Sequence, residues 1–232
     1  MRAFFGTLAI AAVTWAGPGI AQNSPVVVEL YTSQGCSSCP PADALLAELA
    51  LRDDVIALAL HVDYWDYIGW KDVFALHQFT ERQQKYATVA GERVVYTPQM
   101  IIGGLDSVIG SDAMALMDGI AAHSAARPAV RLGLTRHGDL LTISAEAVAH
   151  VAGPLTVQLI RYIPEQTVDI ASGENAGHSI RYVNVVTSWD TLREWDGTAP
   201  LTIEMPLTGA DPAVVIVQMA GPGRIVAAAR LR

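Results

Sequence analysis

The sequence predicts an α/β domain, with a central mixed sheet and flanking helices, followed by a small all-β, sandwich-like domain. Two short apolar runs at 26–31 and 55–62 enclose a segment at 40–52 with helical spacing of leucines. That order is typical of a βαβ unit, whose two strands are parallel. After Arg127-Pro128 the helical spacing gives way to short alternating or apolar runs separated by Gly- and Pro-containing turns, which favours a β-sandwich.

The elements of the first part follow from local chemistry. The run at 26–31 is rich in β-branched residues, and the second run is almost wholly apolar, as in a strand buried on both faces. Pro40 and Pro41 suit a first helical turn, where no amide partner is lost. Gly103-Gly104 predicts a hairpin turn, and Ser111 can cap a last helix. The remaining elements predicted here are a helix at 72–88, hairpin strands at 99–102 and 105–109, and a helix at 111–126.

The second part is predicted to contain only strands. The segments that alternate or run apolar are 130–135, 140–147, 155–163, 180–187, 201–207, 214–219 and 225–231.

Composition excludes several classes of protein. The chain has 232 residues, of which 51% are hydrophobic and 16% charged, so it is not a disordered chain. Fifteen basic and 23 acidic residues give a net charge of −8. No basic run could neutralise phosphates, which argues against nucleic acid as a partner.

The first residues resemble a secretory signal peptide. Arg2 precedes an apolar stretch at 4–13 that is too short to span a bilayer, and small residues before Gln22 fit a cleavage site. The alternative is an uncleaved membrane anchor. We expect a signal peptide at 1–21, an α/β domain at 22–127 and a β domain at 128–232. The mature chain would be secreted, periplasmic or extracellular, without membrane association, in an oxidising compartment where disulfides persist.

The only two cysteines, Cys36 and Cys39, form one CxxC motif. A structural disulfide is one interpretation, but closing a four-residue loop stabilises by only about 2 kcal/mol, against about 4.7 kcal/mol for a 100-residue loop. Structural zinc needs further Cys or His ligands, which the sequence lacks at suitable spacing. A redox pair is favoured, because a helix N-terminus stabilises a thiolate. Metal handling stays open, since two thiolates can hold Cu(I). No cofactor is expected.

Other candidate site residues follow from strand ends. His61, Asp63, Tyr64 and Trp65 leave the second strand at the sheet edge where Cys36 leaves the first, so we expect them to flank the CxxC. They would contact substrate or move protons; the alternative is packing or simple solvation.

A glutamate in the first strand and a Gly-flanked polar loop are also considered as functional candidates. Glu29, within the first strand, is a candidate proton acceptor for the resolving thiol if it is buried; the alternative is a carboxylate at a polar strand end. Glu174, Asn175 and His178 lie in a Gly-flanked loop that we interpret as a β-turn.

The order of elements over 26–126, with a CxxC before the first helix and Thr97-Pro98 before a strand, resembles the thioredoxin superfamily. The resemblance implies that Pro98 is cis and that Thr97 and Pro98 contact substrate. The segment 28–43 (VELYTSQGCSSCPPAD), together with His61–Asp66 (HVDYWD) and the 173–177 loop (GENAG), is similar to a bacterial family of secreted thioredoxin-like proteins known only as a domain of unknown function.

Two departures from thioredoxin matter. Ser37-Ser38 between the cysteines contains no histidine to lower the pKa of Cys36. Pro40 disfavours helical geometry at Cys39, which predicts a helix that begins later than in thioredoxin and acts less strongly on Cys36.

The favoured function is thiol–disulfide exchange with protein or small-molecule thiols and disulfides. Cys36 would be the exposed nucleophile and Cys39 the resolving thiol. A copper(I)-binding module and a non-catalytic binding protein with a permanent bridge are the alternatives. The sequence leaves the oligomeric state, the substrate and the direction of electron flow open.

Overall fold

A computed structural model describes residues 24–231 as a mixed α/β protein with a large mixed sheet and few helices. The predicted signal peptide at 1–21 lies outside the described residues. The helices are α1 (Pro40–Leu49), α2 (His77–Ala90) and α3 (Ala113–Ser124), with one 3-10 turn at Asp66–Ile68. The strands are β1 (Val26–Thr32), β2 (Val55–His61), β3 (Gln99–Ile102), β4 (Asp106–Ile109), β5 (Val130–His137), β6 (Leu140–Ala147), β7 (Leu155–Asp169), β8 (Ser179–Trp195), β9 (Leu201–Pro206), β10 (Ala213–Met219) and β11 (Ile225–Leu231).

The large sheet has eight strands in the order β11-β10-β7-β8-β2-β1-β3-β4. β1 pairs with β2 in parallel over its whole length, so the predicted βαβ unit is confirmed. β8 also joins β2 in parallel, whereas β3, β4, β7, β10 and β11 pair with their neighbours in antiparallel register. The sheet is therefore mixed.

Strands from both sides of residue 127 belong to this one sheet. β7, β8, β10 and β11 extend it beyond β2, while β5, β6 and β9 form a separate three-stranded sheet. Apolar residues of the small sheet pack on β7, β10 and β11 in one core, which gives this region a sandwich-like cross-section. The predicted β domain thus shares its larger sheet with the α/β part, because β8 pairs with β2.

Side chains alternate along β1, so successive residues pack on opposite faces of the sheet. Val26, Val28 and Leu30 pack against α1 and α3, whereas Val27 and Tyr31 pack on the opposite face with α2. Thr32 follows the even residues and therefore faces α1. On β2, odd-numbered residues share the α1 face, which brings His61 to the same side as Thr32, its partner in the register.

The starts of two helices can be compared with the predictions. α1 begins at Pro40, as predicted, and Cys39 has helical geometry at φ −79° and ψ −34°. The Cys39 carbonyl accepts from the amides of Ala42 and Asp43, which offsets the steric preference imposed by Pro40. α2 begins at His77 rather than 72, because Asp72 uses its carboxylate to bind the amides of Gln34 and Phe74.

Candidate functional site around the CxxC

Cys36 and Cys39 form a disulfide at the start of α1, with Cα atoms 5.4 Å apart. Cys39 is the N-cap residue of the helix and is followed by the two prolines. The sulfurs therefore lie where the free amides and the dipole of the helix stabilise negative charge.

Both cysteines are completely buried, at 0% exposure. The expectation that Cys36 is an exposed nucleophile was wrong. Ser37 and Ser38, between the cysteines, are exposed. The motif thus reaches the surface through its two serines while its sulfurs are covered.

The loop between β7 and β8, more than 130 residues along the chain, binds the backbone of the CxxC loop. Asn175 is 3% exposed, and its side-chain Nδ2 donates to the carbonyl oxygens of Gln34 at 2.9 Å and Cys36 at 3.0 Å. The amide of Ser37 donates to Glu174 Oε2 at 3.4 Å. The interpretation of this loop as a plain turn missed the contact, since only the three-dimensional fold shows where the loop lies.

The Thr97–Pro98 peptide bond is cis, as the resemblance implies. Pro98 lies at the first turn of α1: a Cβ atom on Gly110 would stand 2.9 Å from Pro98 Cβ and 3.1 Å from Ala42 Cβ, so only glycine fits between them. The proline loop and the helix that carries Cys39 are therefore neighbours.

Trp65 contacts both the proline loop and the CxxC loop. Its indole Nε1 donates to Thr97 Oγ1 at 2.7 Å. Its Cβ would lie 3.2 Å from a Cβ atom on Gly35, the residue before Cys36, and Ile68 approaches Gly35 equally closely. The absence of a side chain at Gly35 lets this tryptophan pack between the CxxC loop and the proline loop.

A buried acid lies one helical turn beyond the motif. Asp43 is 5% exposed and lies near the Thr32 hydroxyl. Burial raises the pKa of Asp43 to about 7, although the nearby His61 and the Thr32 hydroxyl oppose the shift. Because residues at i and i+4 share a helix face, Cys39 and Asp43 lie on the same side of α1.

His61 lies within the same buried region. It is fully buried, and its Nδ1 lies 2.7 Å from Asp72 Oδ2, while its Nε2 has no hydrogen-bond partner in the described part of the chain. Asp72 also accepts from the amide of Gln34 at 2.7 Å, and these bonds together lower the pKa of Asp72 against the opposing effect of its burial. A hydrogen-bonded path therefore runs from His61 through Asp72 to the backbone of the CxxC loop.

Glu29 lies on the α2 face of β1, across the sheet from α1. Its two oxygens accept a bidentate pair of bonds from Arg82, at 2.7 and 2.9 Å. The hydroxyls of Tyr31 and Tyr86 donate to the same carboxylate. All of its lone-pair directions are used inside this network, away from the two sulfurs.

The other predicted residues of the strand end turn toward α2. Asp63 accepts from Thr80 Oγ1 at 2.5 Å and lies 2.8 Å from His77 Nδ1, and the Tyr64 hydroxyl donates to Gln83 at 3.2 Å. Burial raises the pKa of Tyr64 to about 12. Of the residues His61, Asp63, Tyr64 and Trp65, the structure brings His61 and Trp65 to the CxxC region; substrate contact by any of them stays a prediction.

No group of three or more His, Cys, Asp or Glu side chains within residues 24–231 is arranged to hold a metal ion. Over the same range, none of the helices is both long and apolar enough to cross a membrane.

A CxxC disulfide at a helix start, beside a cis-proline loop, is a site compatible with redox chemistry of thiols. Comparison with known proteins then identifies the family. The family described as "Protein of unknown function (DUF1223)" matches residues 27–218, and the chain belongs to it.

A solved relative shows the same overall structure. A crystal structure of a protein from Agrobacterium tumefaciens, determined as a structural genomics target, is 36% identical and has a TM-score of 0.78. The match covers 91% of this chain and 96% of that one. Among curated proteins, none matches.

Proposed function

We propose that this protein is an exported thiol–disulfide oxidoreductase of thioredoxin-like type, acting through Cys36 and Cys39. The observation that carries the proposal is the buried carboxyl of Asp43 on the same helix face as the disulfide, with its pKa raised to about 7 by burial. A purely structural bridge has no need of a titratable group buried one helical turn away, because burying a carboxyl costs stability.

The reaction exchanges one disulfide for another. A substrate thiolate attacks Cys36 Sγ, a new S–S bond joins substrate and protein, and the Cys36–Cys39 bond breaks with its electron pair on Cys39. A second substrate thiolate, or the substrate's other cysteine, then attacks the mixed disulfide and releases Cys36 as a thiolate. The substrate is oxidised by two electrons and the protein is reduced; the reverse sequence reduces a substrate disulfide.

Asp43 is the proton-transfer group in this proposal, in the role that the sequence analysis gave to Glu29. With a pKa near 7, Asp43 can hold the proton that Cys39 takes or gives up when its bond to Cys36 breaks or forms. Thr97, Pro98 and Trp65 would position the substrate chain beside Cys36.

Replacing Cys39 by serine is expected to trap a mixed disulfide. Cys36 would then remain bonded to a model peptide, because the resolving thiol is gone. Mass spectrometry of the reduced variant, mixed with a disulfide-containing peptide, measures the adduct.

The matched variant Cys36→Ser keeps Cys39 and should form far less adduct, since the proposal places the substrate chain beside Cys36. Equal trapping by both variants would contradict the assignment of Cys36 as nucleophile. No exchange by wild type and no adduct in either variant would remove the oxidoreductase proposal.

Full burial of the sulfurs favours a rival, a binding protein with the same architecture and a permanent bridge. That rival predicts a disulfide that resists mild reductants such as glutathione. The proposal predicts that glutathione reduces it within minutes to hours.

Export is part of the proposal and has its own test. The apolar segment at 4–13 and the small residues before Gln22 support cleavage after residue 21. N-terminal sequencing of protein expressed in a bacterium should give Gln22 as the first residue in the extracytoplasmic fraction; an intact start at Met1 there would contradict it.

A further inference from the structure

The β7–β8 loop is attached beside the CxxC by side-chain hydrogen bonds and one close approach. Of residues 171–178, only Asn175 is buried; its neighbours on both sides are exposed. Apart from the Asn175 bonds, Ser172 Oγ donates to the Gly69 carbonyl at 2.6 Å, Ser37 donates to Glu174 at 3.4 Å, and Gly173 lies against Trp70. None of residues 171–178 belongs to a core cluster, which is typical of a segment with low local stability.

The Asn175 side chain binds the backbone of the CxxC loop directly. Its amide binds the carbonyl oxygens of residue 34 and of Cys36 itself. The Cys36 carbonyl also accepts from the amide of Cys39, so Asn175 binds the backbone of the four-residue ring that the disulfide closes. Both cysteines are at 0% exposure with the loop in this position.

We propose that residues 171–177 form a gate over the Cys36–Cys39 disulfide, that Asn175 holds the gate closed, and that reaction of the sulfurs with an external reagent requires the gate to open. The gate regulates access to the site, so its biological meaning rests on the proposed function. The opening itself is a property of the folded chain and can be measured without any enzymatic activity.

The test is the rate at which a water-soluble phosphine reduces the disulfide in the intact protein. The phosphorus lone pair attacks one sulfur, the S–S bond breaks, and water completes the reaction to give two thiols and the phosphine oxide. Alkylation of the two thiols and mass spectrometry report the reduced fraction with time. Asn175→Ala is expected to be reduced roughly tenfold faster, since it loses the two buried hydrogen bonds that favour the closed loop.

Asn184→Gly is the matched control. Asn184 is also a buried asparagine on the β7–β8 hairpin, and its Nδ2 donates to the Ala57 carbonyl at 2.9 Å, in the middle of the sheet. Its φ of 51° is left-handed, so glycine removes the side chain without backbone strain. We expect its reduction rate to stay within twofold of wild type under conditions where thermal unfolding shows both variants folded. Equal acceleration by Asn184→Gly would mean that reduction follows general unfolding, and would overturn the gate.

An unchanged rate in folded Asn175→Ala would also overturn the proposal. Should that variant fail to fold, Ser172→Ala carries the test, because Ser172 is exposed and its hydroxyl anchors the same loop to Gly69. A smaller acceleration, about two- to fivefold, is expected for the loss of one exposed hydrogen bond, and no acceleration rejects the gate.

The outcomes separate the gate from the oxidoreductase proposal. Faster phosphine reduction of Asn175→Ala in a protein that never exchanges with peptides keeps the gate and rejects the enzyme. Exchange by wild type with no effect of Asn175→Ala on either reaction keeps the enzyme and rejects the gate.

Discussion

Replacing Arg82 by methionine is expected to lower the free energy of unfolding by about 3–5 kcal/mol, because it leaves the Glu29 carboxylate buried without its counter-ion. Glu29 is fully buried and is bound by both Arg82 nitrogens that point at it. The Arg82 guanidinium also lies 3.8 Å from the ring centroid of Trp189, a contact that methionine replaces only in part. Urea unfolding followed by tryptophan fluorescence measures the loss.

Two further variants distinguish a stability loss caused by breaking the buried ion pair from a general effect of removing an arginine. Adding Glu29→Gln to Arg82→Met removes both charges and should recover part of the stability. Arg131→Met breaks the exposed pair between Arg131 and Glu146 and should change stability little. Equal losses for Arg82→Met and Arg131→Met would contradict the account of the core.

Asp43→Asn is expected to make the stability of the protein less sensitive to a rise in pH between about 4 and 7. An Asp with the ordinary pKa of 3.8 in the unfolded chain and about 7 in the folded one holds its proton more tightly when folded. Stability therefore falls as pH rises between these two values, and is unaffected below both. Between pH 5 and pH 8 wild type should lose about 2–3 kcal/mol relative to the variant.

Thermal unfolding of both proteins across this pH range gives the comparison. Asp118→Asn, on the exposed side of α3, is the control and should follow wild type at every pH. A difference between Asp43→Asn and wild type that does not change with pH would contradict a raised pKa at Asp43.

The same variant tests proton transfer. If Asp43 exchanges a proton with Cys39, Asp43→Asn should slow thiol–disulfide exchange by roughly 100-fold, at the lower end of the range for a positioned acid or base. The pH dependence of the rate near 7 should disappear with it. An equal rate in the variant, with an unaltered pH profile, would confine Asp43 to a structural role.

Local pattern predicted much of the site from the sequence. The parallel βαβ unit follows from two apolar runs and one helix, and the cysteines lie at the helix start because Pro40 and Pro41 can only occupy a first turn. The hairpin at Gly103-Gly104 is also confirmed, as is the cis peptide before Pro98 that the resemblance implies. Each of these depends on neighbours in the chain or on a motif.

The long-range contacts of Asn175 and Asp43 could not be predicted from the sequence, for a physical reason. Asn175 reaches the CxxC loop because β7 continues to Asp169, well past its predicted end at 163, before the chain returns in β8 from Ser179. Nothing in the residues near 175 encodes that position. Asp43 was likewise overlooked, since its neighbours Thr32 and His61 come from two different strands.

The alternation of side chains along β1 could have identified Asp43, and excluded Glu29, as the proton acceptor from the sequence alone. Residues 26, 28 and 30 face α1, so position 29 must face the other side of the sheet. An acid in the first turn of α1, four residues after Cys39, lies on the helix face that meets the sheet. The general lesson is that a proton acceptor for this disulfide has to come from the α1 side.

The midpoint reduction potential of the Cys36–Cys39 disulfide, measured by equilibrating the intact protein with glutathione buffers, tests the central claim most directly. A thiol–disulfide oxidoreductase should titrate between about −120 and −270 mV. A bridge that remains oxidised to below about −300 mV, as structural disulfides do, would contradict the account.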